Sequence, residues 1–143
     1  MIKFIDTTQT LLLRSEVLRD GKPFEECYFE GDNEKCSFHL GDFRLGQIIS
    51  AVTFHQRTHN DFPGDGYQLR GMATHPDFRN MGAGNQLLNF GIVYLRGLKA
   101  NYIWCNARQA AYRFYLNTGF EFISGEFEVD QIGPHRQMYL KIM

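Results

Sequence analysis

The run Arg79-Asn80-Met81-Gly82-Ala83-Gly84 sits between a strand-like segment and an amphipathic helix that opens with Asn85. A loop in that position presents backbone donors, because the first N–H groups of a helix lack internal partners and the macrodipole is positive at that end. Gly82 and Gly84 carry no Cβ, so a phosphate can come close to the backbone. Arg79 adds a fixed positive charge that can grip phosphate oxygens in bidentate fashion. The run points to a pyrophosphate-holding turn.

The flanking sequence supplies the context such a turn needs. Upstream, Tyr67–Thr74 reads as a strand anchored by Leu69 and Met72 and stopped by His75-Pro76. Downstream, Leu87, Leu88, Gly91, Ile92, Leu95 and Leu98 recur at helical spacing, with Asn85, Gln86, Asn89, Arg96 and Lys99 falling elsewhere. Two common phosphate-binding signatures are missing. There is no Gly-Lys-Ser/Thr of a P-loop and no Gly-x-Gly-x-x-Gly dinucleotide fingerprint.

Arg79-x-x-Gly82-x-Gly84 after Met72-Ala73-Thr74-His75-Pro76 resembles the cofactor motif of the GNAT superfamily of acetyl-CoA-dependent N-acetyltransferases. A second signature follows in the right order: Ala111-Tyr112-Arg113-Phe114-Tyr115-Leu116-Asn117-Thr118-Gly119-Phe120 is similar to the Ala-x-x-x-Tyr-x-x-x-Gly-Phe helix and its exit. The match covers residues 67–122 well and the remainder only by element order. It implies an α+β (mixed α/β) fold, with a mostly antiparallel central sheet splayed between its fourth and fifth strands and helices on both faces. It also implies one N-acetyltransferase domain over residues 1–143.

Composition bounds the alternatives. A chain of 143 residues is about one domain long and can bury a core without metal or disulfides. It is 43% hydrophobic and 15% aromatic with 13 Phe, which describes a globular chain rather than a disordered one. A net charge of −1 argues against a nucleic-acid partner. No apolar run is long enough for a membrane span, and Met1–Ile5 is too short for a signal peptide. Cys27, Cys36 and Cys105 are odd in number and scattered, which reads as reduced thiols in a cytoplasmic protein. The histidines show no metal-ligand spacing, so no metal is expected.

Along the chain, Ile2–Ile5 reads as a strand, and Thr7 or Thr8 as the cap of a helix running toward Leu18 and stopped near Gly21 and Pro23. Glu30–Lys35 is a polar turn, Ser37–Phe43 and Gln47–Phe54 a hairpin pair, and Thr58–Gly66 a loop. Tyr102–Cys105 reads as a buried strand and Ala107–Thr118 as a second helix with Gly119 at its C′ position. Phe120–Ile123 and Met138–Ile142 are closing strands with a loop through Gly133-Pro134 between them. The phenylalanines near that end (Phe120, Phe122, Phe127) could extend a sheet between subunits of a homodimer.

The resemblance implies roles residue by residue. Backbone groups of Met72, Ala73 and Thr74 would pair with the pantetheine arm of acetyl-CoA, one of their N–H groups serving as oxyanion donor. Arg79, Asn80, Met81, Gly82, Ala83, Gly84 and Asn85 would hold the pyrophosphate. Tyr115 occupies the position whose hydroxyl faces the cofactor sulfur, where a phenol can protonate the leaving thiolate. The family commonly has Asn seven residues before this Tyr. Arg108 stands there instead, and Asn106 lies two residues earlier. A general base must take a proton from the amine. Glu25, Glu26, His39, His75, Glu126, Glu128 and His135 are candidates, and placement in such a fold favours Glu26, His39 and His135. Glu25, Glu26, Tyr28, Phe29 and Glu30 suit a cationic amine, though a solvated turn explains them equally well. The leading function is acetyl transfer from acetyl-CoA to an amine of a small molecule or peptide by direct attack in a ternary complex. The alternative is a non-catalytic GNAT-like acyl-CoA-binding or sensing module.

Overall fold

The seven residues Ile49–His55 are buried without interruption, the pattern of a strand covered on both faces. Successive side chains of a strand point to opposite faces, and here each face meets its own helix layer. Val52 and Phe54 join the larger core with Leu40, Leu69, Leu87, Leu88 and Leu95, while Ala51 packs with Ile5, Leu13 and Ala73. Each fully buried Leu contributes about 2 kcal/mol relative to exposure.

The structure, a computed structural model, describes all 143 residues. In chain order the elements are β1 (Ile2–Ile5), α1 (Thr7–Leu13), β2 (Phe38–Arg44), β3 (Gln47–Gln56), β4 (Gly66–Thr74), α2 (Ala83–Gly97), β5 (Tyr102–Arg108), α3 (Tyr112–Thr118), β6 (Glu121–Phe122), β7 (Phe127–Val129) and β8 (Gly133–Lys141). They form one eight-stranded sheet ordered β1-β2-β3-β4-β5-β8-β6, with β7 also on β8. Every pairing is antiparallel except β4 with β5, which is parallel. The fold is therefore the mixed α/β, mostly antiparallel one that the sequence implied. α2 lies close on the sheet because residue 91 is Gly; a Cβ there would stand 2.6 Å from the Phe54 ring.

Several boundaries differ from expectation. Ala107 and Arg108 are drawn into β5 by ladder pairing with Arg136 and His135, so the helix expected over Ala107–Thr118 starts only at Tyr112, after a 3-10 turn at Gln109–Ala111. Its end is as expected, with Gly119 left-handed at φ 107°. The Gly133-Pro134 segment is not loop but the start of β8, paired with the short unforeseen strand β7. α1 starts after Asp6, whose N–H donates to Gln9 Oε1 at 2.8 Å, so Thr7 and Thr8 are inside the helix rather than at its cap. Beyond Leu13 the helix widens into a π-helical turn, Arg14–Leu18. No helix is long and apolar enough to cross a membrane.

Candidate active site

The parallel pair β4 and β5 is zipped only at its start. Gly66, Tyr67 and Gln68 pair with Tyr102, Ile103 and Trp104, and from Leu69 onward β4 has no partner on that side. β5 turns instead to β8, pairing along its whole length from Tyr102 with Lys141 to Arg108 with His135. A bulge sharpens the divergence: Thr53 faces Arg70 and Ala51 faces Ala73, so Gly71 and Met72 stand opposite the single residue Val52. Gly71 takes φ +63°, and a Cβ on it would press to 3.0 Å from the Phe29 ring. The V-shaped opening is a cleft of about 710 Å³ with Arg70–Thr74 on one wall and Cys105–Arg108 on the other.

The loop after β4 delivers a helix end to this cleft. Gly82 is the N-cap residue of α2, left-handed at φ 80°, and Asn80 is left-handed at φ 61°. The N-cap offers no side-chain hydrogen bond and the first turn holds no acid. The first intrahelical bond runs from the Gln86 N–H to the Gly82 carbonyl at 3.0 Å, so the amides before it lack helical acceptors. Arg79, Asn80, Gly82, Ala83, Gly84 and Asn85 line the cleft, whereas the Met81 side chain is exposed and does not. The two glycines serve different ends. Nothing lies within 4 Å of a Cβ placed on Gly82, whereas one on Gly84 would crowd Phe114 at 3.3 Å.

Tyr115 of α3 is buried but lines the cleft, its ring 5.2 Å from that of Phe120 and 5.1 Å from that of Phe114. Its hydroxyl has no hydrogen-bond partner in the protein and is not sealed from solvent, so it opens into the cleft. Burial raises its pKa well above the ordinary phenol value; Cys105 adds to the rise and the Arg108 cation opposes it. Tyr115 is therefore a proton-bearing group at any physiological pH. Burial pushes the Cys105 thiol up as well. Arg108 donates from Nη2 to the Leu18 carbonyl at 2.8 Å, fastening the end of the first helix to β5. Asn106 is exposed and lines the cleft, with its amide uncommitted.

The base candidates separate by geometry. Glu26 is exposed on a 3-10 turn, Phe24–Glu26, and does not line the cleft. Glu25, Tyr28 and Glu30 are exposed too, and of that acid-and-aromatic stretch only Phe29 reaches the cleft. His39 is buried behind the sheet and fully committed. Its Nε2 donates to the Asp32 carbonyl at 3.1 Å, and its Nδ1 accepts from the Thr53 hydroxyl at 2.7 Å. Burial lowers its pKa, partly opposed by Asp32, so the ring is neutral with its lone pair occupied. His135 alone of the three lines the cleft. Its Nδ1 must carry the proton, because its partner at 2.9 Å is the Gly133 carbonyl, which can only accept. In the neutral ring Nε2 then holds a lone pair with no partner in the protein.

Behind the cleft lies a polar network that the sequence pattern concealed. Arg14 is fully buried and bidentate to Asp32, at 2.7 and 3.2 Å, and also donates to the Cys27 carbonyl and the Thr53 hydroxyl. His55 Nε2 donates to Asp32 Oδ1 at 2.9 Å. Burial alone would raise the Asp32 pKa, but hydrogen bonds from His55, Arg14 and the Phe29 N–H hold it well below the ordinary carboxylate range. The Arg14 guanidinium sits 3.9 Å from the Phe29 ring centre, and the Arg70 guanidinium sits 4.2 Å from the same ring. Phe29 and Arg70 both line the cleft. The available signal was Arg14 itself, which falls on the apolar side of the helix between Leu11 and Leu18.

Comparison with known proteins agrees with this geometry. A sequence model described as the acetyltransferase (GNAT) family matches residues 5–120. The chain is 32% identical over 139 residues to a Bacillus subtilis (strain 168) protein described as uncharacterized N-acetyltransferase YitI, covering 96% of this chain and 93% of that one. Among solved structures, an aminoglycoside 6'-N-acetyltransferase complexed with coenzyme A superposes with a TM-score of 0.78 at 13% identity, covering 100% of this chain and 97% of that one. The ribosomal-protein-S18-alanine N-acetyltransferase of Escherichia coli superposes at 0.73 with 19% identity, covering 99% and 93%. The latter two likenesses concern the fold. From the family match and the curated relative together, the chain belongs to the GNAT family of acetyltransferases.

Proposed function

We propose that residues 1–143 form one N-acetyltransferase domain that transfers the acetyl group of acetyl-CoA to an amine by direct attack in a ternary complex. The observation that carries this is the divergence of β4 from β5, which leaves Met72, Ala73 and Thr74 unpaired toward a cleft that runs into the open amides of α2. The residues present suit the cosubstrate. Unpartnered N–H groups, a left-handed Gly82 with free space around it, and Arg79 are what a pyrophosphate requires. Unpaired strand amides and the Asn106 side chain suit the amide-bearing pantetheine arm, which would add to β4 as a strand. Asn80, Ala83, Gly84 and Asn85 complete the turn. Met81 contributes through its backbone alone.

In this reading the amine nitrogen bonds to the thioester carbonyl carbon, and a backbone N–H of Met72–Thr74 stabilises the resulting oxyanion. Collapse breaks the carbon–sulfur bond. Tyr115 gives its proton to the leaving thiolate, while His135 Nε2, directly or through a water, takes the proton the amine loses. Neither Glu26 nor His39 is retained as the base. Three free cysteines suit a reducing, cytoplasmic setting. The test is coenzyme A release from acetyl-CoA in the presence of an amine panel. Turnover abolished or cut at least tenfold in Tyr115→Phe supports the reading; tight acetyl-CoA binding with no turnover on any amine would favour a sensing module instead.

A further inference from the structure

The cleft is electrically one-sided. The chain carries 15 basic and 16 acidic residues, yet no Asp or Glu side chain lines the cleft, whereas Arg19, Arg70, Arg79 and Arg108 do. In the reading above Arg79 is assigned to the pyrophosphate, and Arg108 is tied to the Leu18 carbonyl. The acid that acts on Arg108 is Asp20, which is exposed, outside the lining and in no ion pair with it.

Arg70 is the unexplained cation. It is half-buried on β4 next to the Gly71 bulge, its guanidinium over the Phe29 ring, and it makes neither an ion pair nor a side-chain hydrogen bond. Burial and the nearby Arg57 and Arg14 cations oppose its charge. The only acid close to it, Asp32, already receives Arg14 in bidentate fashion and His55. A desolvated guanidinium without a counter-charge is costly, so such a group is normally paired. Arg70 lies two residues before Met72, within about 7 Å along the strand of the amides assigned to the thioester. Phe29 supports its guanidinium, and none of its N–H groups is committed to a protein acceptor, so its fork is available to something in the cleft.

We infer that Arg70 is a specificity-determining residue, and that the acceptor is an amine bearing its own anionic group, a carboxylate or a phosphate, a few bonds from the nitrogen. The structure therefore points away from the cationic amine that Glu25, Glu26 and Glu30 suited on sequence grounds. This inference rests on the acetyl-transfer reading, and its test separates the two.

The experiment compares acceptors differing only in the acid: β-alanine with β-alaninamide, L-phenylalanine with L-phenylalaninamide, and O-phosphoethanolamine with ethanolamine, beside spermidine as a polycation. The acid-bearing member of at least one pair is expected to show kcat/KM at least tenfold above its neutral partner and above spermidine. Which pair responds tells carboxylate from phosphate. In Arg70→Gln the ratio should fall toward one, and in Arg70→Lys it should be partly kept. A second readout needs no turnover: with coenzyme A bound, titration with N-acetyl-β-alanine and its amide, and with O-phosphoethanolamine and ethanolamine, should show at least tenfold tighter binding of an anion, lost in Arg70→Gln. Preference for neutral or cationic members in both assays, or a ratio unchanged by Arg70→Gln, overturns the inference. Absence of turnover with anion selectivity intact in the titration would instead count against the acetyl-transfer reading alone.

Discussion

In the proposed mechanism Tyr115 and His135 divide the proton traffic because their surroundings differ. Burial keeps the Tyr115 phenol protonated, whereas the Gly133 carbonyl fixes the His135 proton on Nδ1 and frees Nε2. Tyr115→Phe should lower kcat about 10²-fold, the low end of the usual acid–base contribution, with KM for acetyl-CoA within about twofold. Steady-state kinetics against both substrates reads this split. A matching rise in KM would make the hydroxyl a binding group rather than an acid. The buried network behind the cleft is a different kind of site: Arg14 and Asp32 are committed to each other, and its two unpartnered atoms, Arg14 Nε and His55 Nδ1, are sealed from solvent. Arg14→Met leaves the Asp32 carboxylate in the interior with only His55 and the Phe29 N–H, and should cost about 3–5 kcal/mol in urea unfolding. A loss under about 1 kcal/mol would mean that water reaches Asp32.

At the scale of elements, the strand–turn–helix through Gly82 and Gly84, proposed to hold the cosubstrate, was the most legible part, since a strand, a glycine pair and an amphipathic helix are each encoded locally. Gly82→Asp places a carboxylate where α2 presents its open amides, in space free within 4 Å, and Asp tolerates left-handed φ better than most residues. Acetyl-CoA affinity should fall at least tenfold by calorimetry, with the urea midpoint little changed; unaltered affinity would remove the pyrophosphate from this helix end. The less legible elements are those decided by distant partners. Ala107 and Arg108 read as helix because Ala and Arg favour it, but the β8 ladder overrides that propensity. β7 is three residues with Glu128 at its centre, too short for an alternation signal. Asp32 looked like part of a solvated turn because only the fold brings Arg14 and His55 to it. The isolation of Arg70 was hidden likewise, since it depends on which acids do not come near.

The whole molecule adds two electrostatic consequences. Net charge is −1 while the cleft is lined by cations, so the proposed anionic cosubstrate would be drawn to one place on a nearly neutral particle. Raising salt from about 0.05 to 0.5 M shrinks the screening length from roughly 14 to 4 Å and should raise KM for acetyl-CoA severalfold, more than it changes kcat. Stability should fall with acid in two stages. Unfolded His39 takes up a proton as pH drops through about 6.5, whereas the native ring resists, so the unfolded state binds more protons and gains. Unfolded Asp32 does the same below about pH 5, because its native carboxyl is held lower still. Urea midpoints should therefore drop from pH 7.5 to 5.5 and again below 4.5, with His39→Gln flattening the first stage. A midpoint that rises toward pH 5 would reverse both signs.

Placement of a CoA thioester between β4 and β5 underlies the functional expectations, and amide NMR titration tests it most directly. Coenzyme A added to the 15N-labelled protein should shift the backbone amides of Met72–Thr74 and of Gly82–Asn85 most strongly, with Asn106 following. Saturating coenzyme A that leaves those amides unmoved, or moves a separate surface instead, would contradict the account.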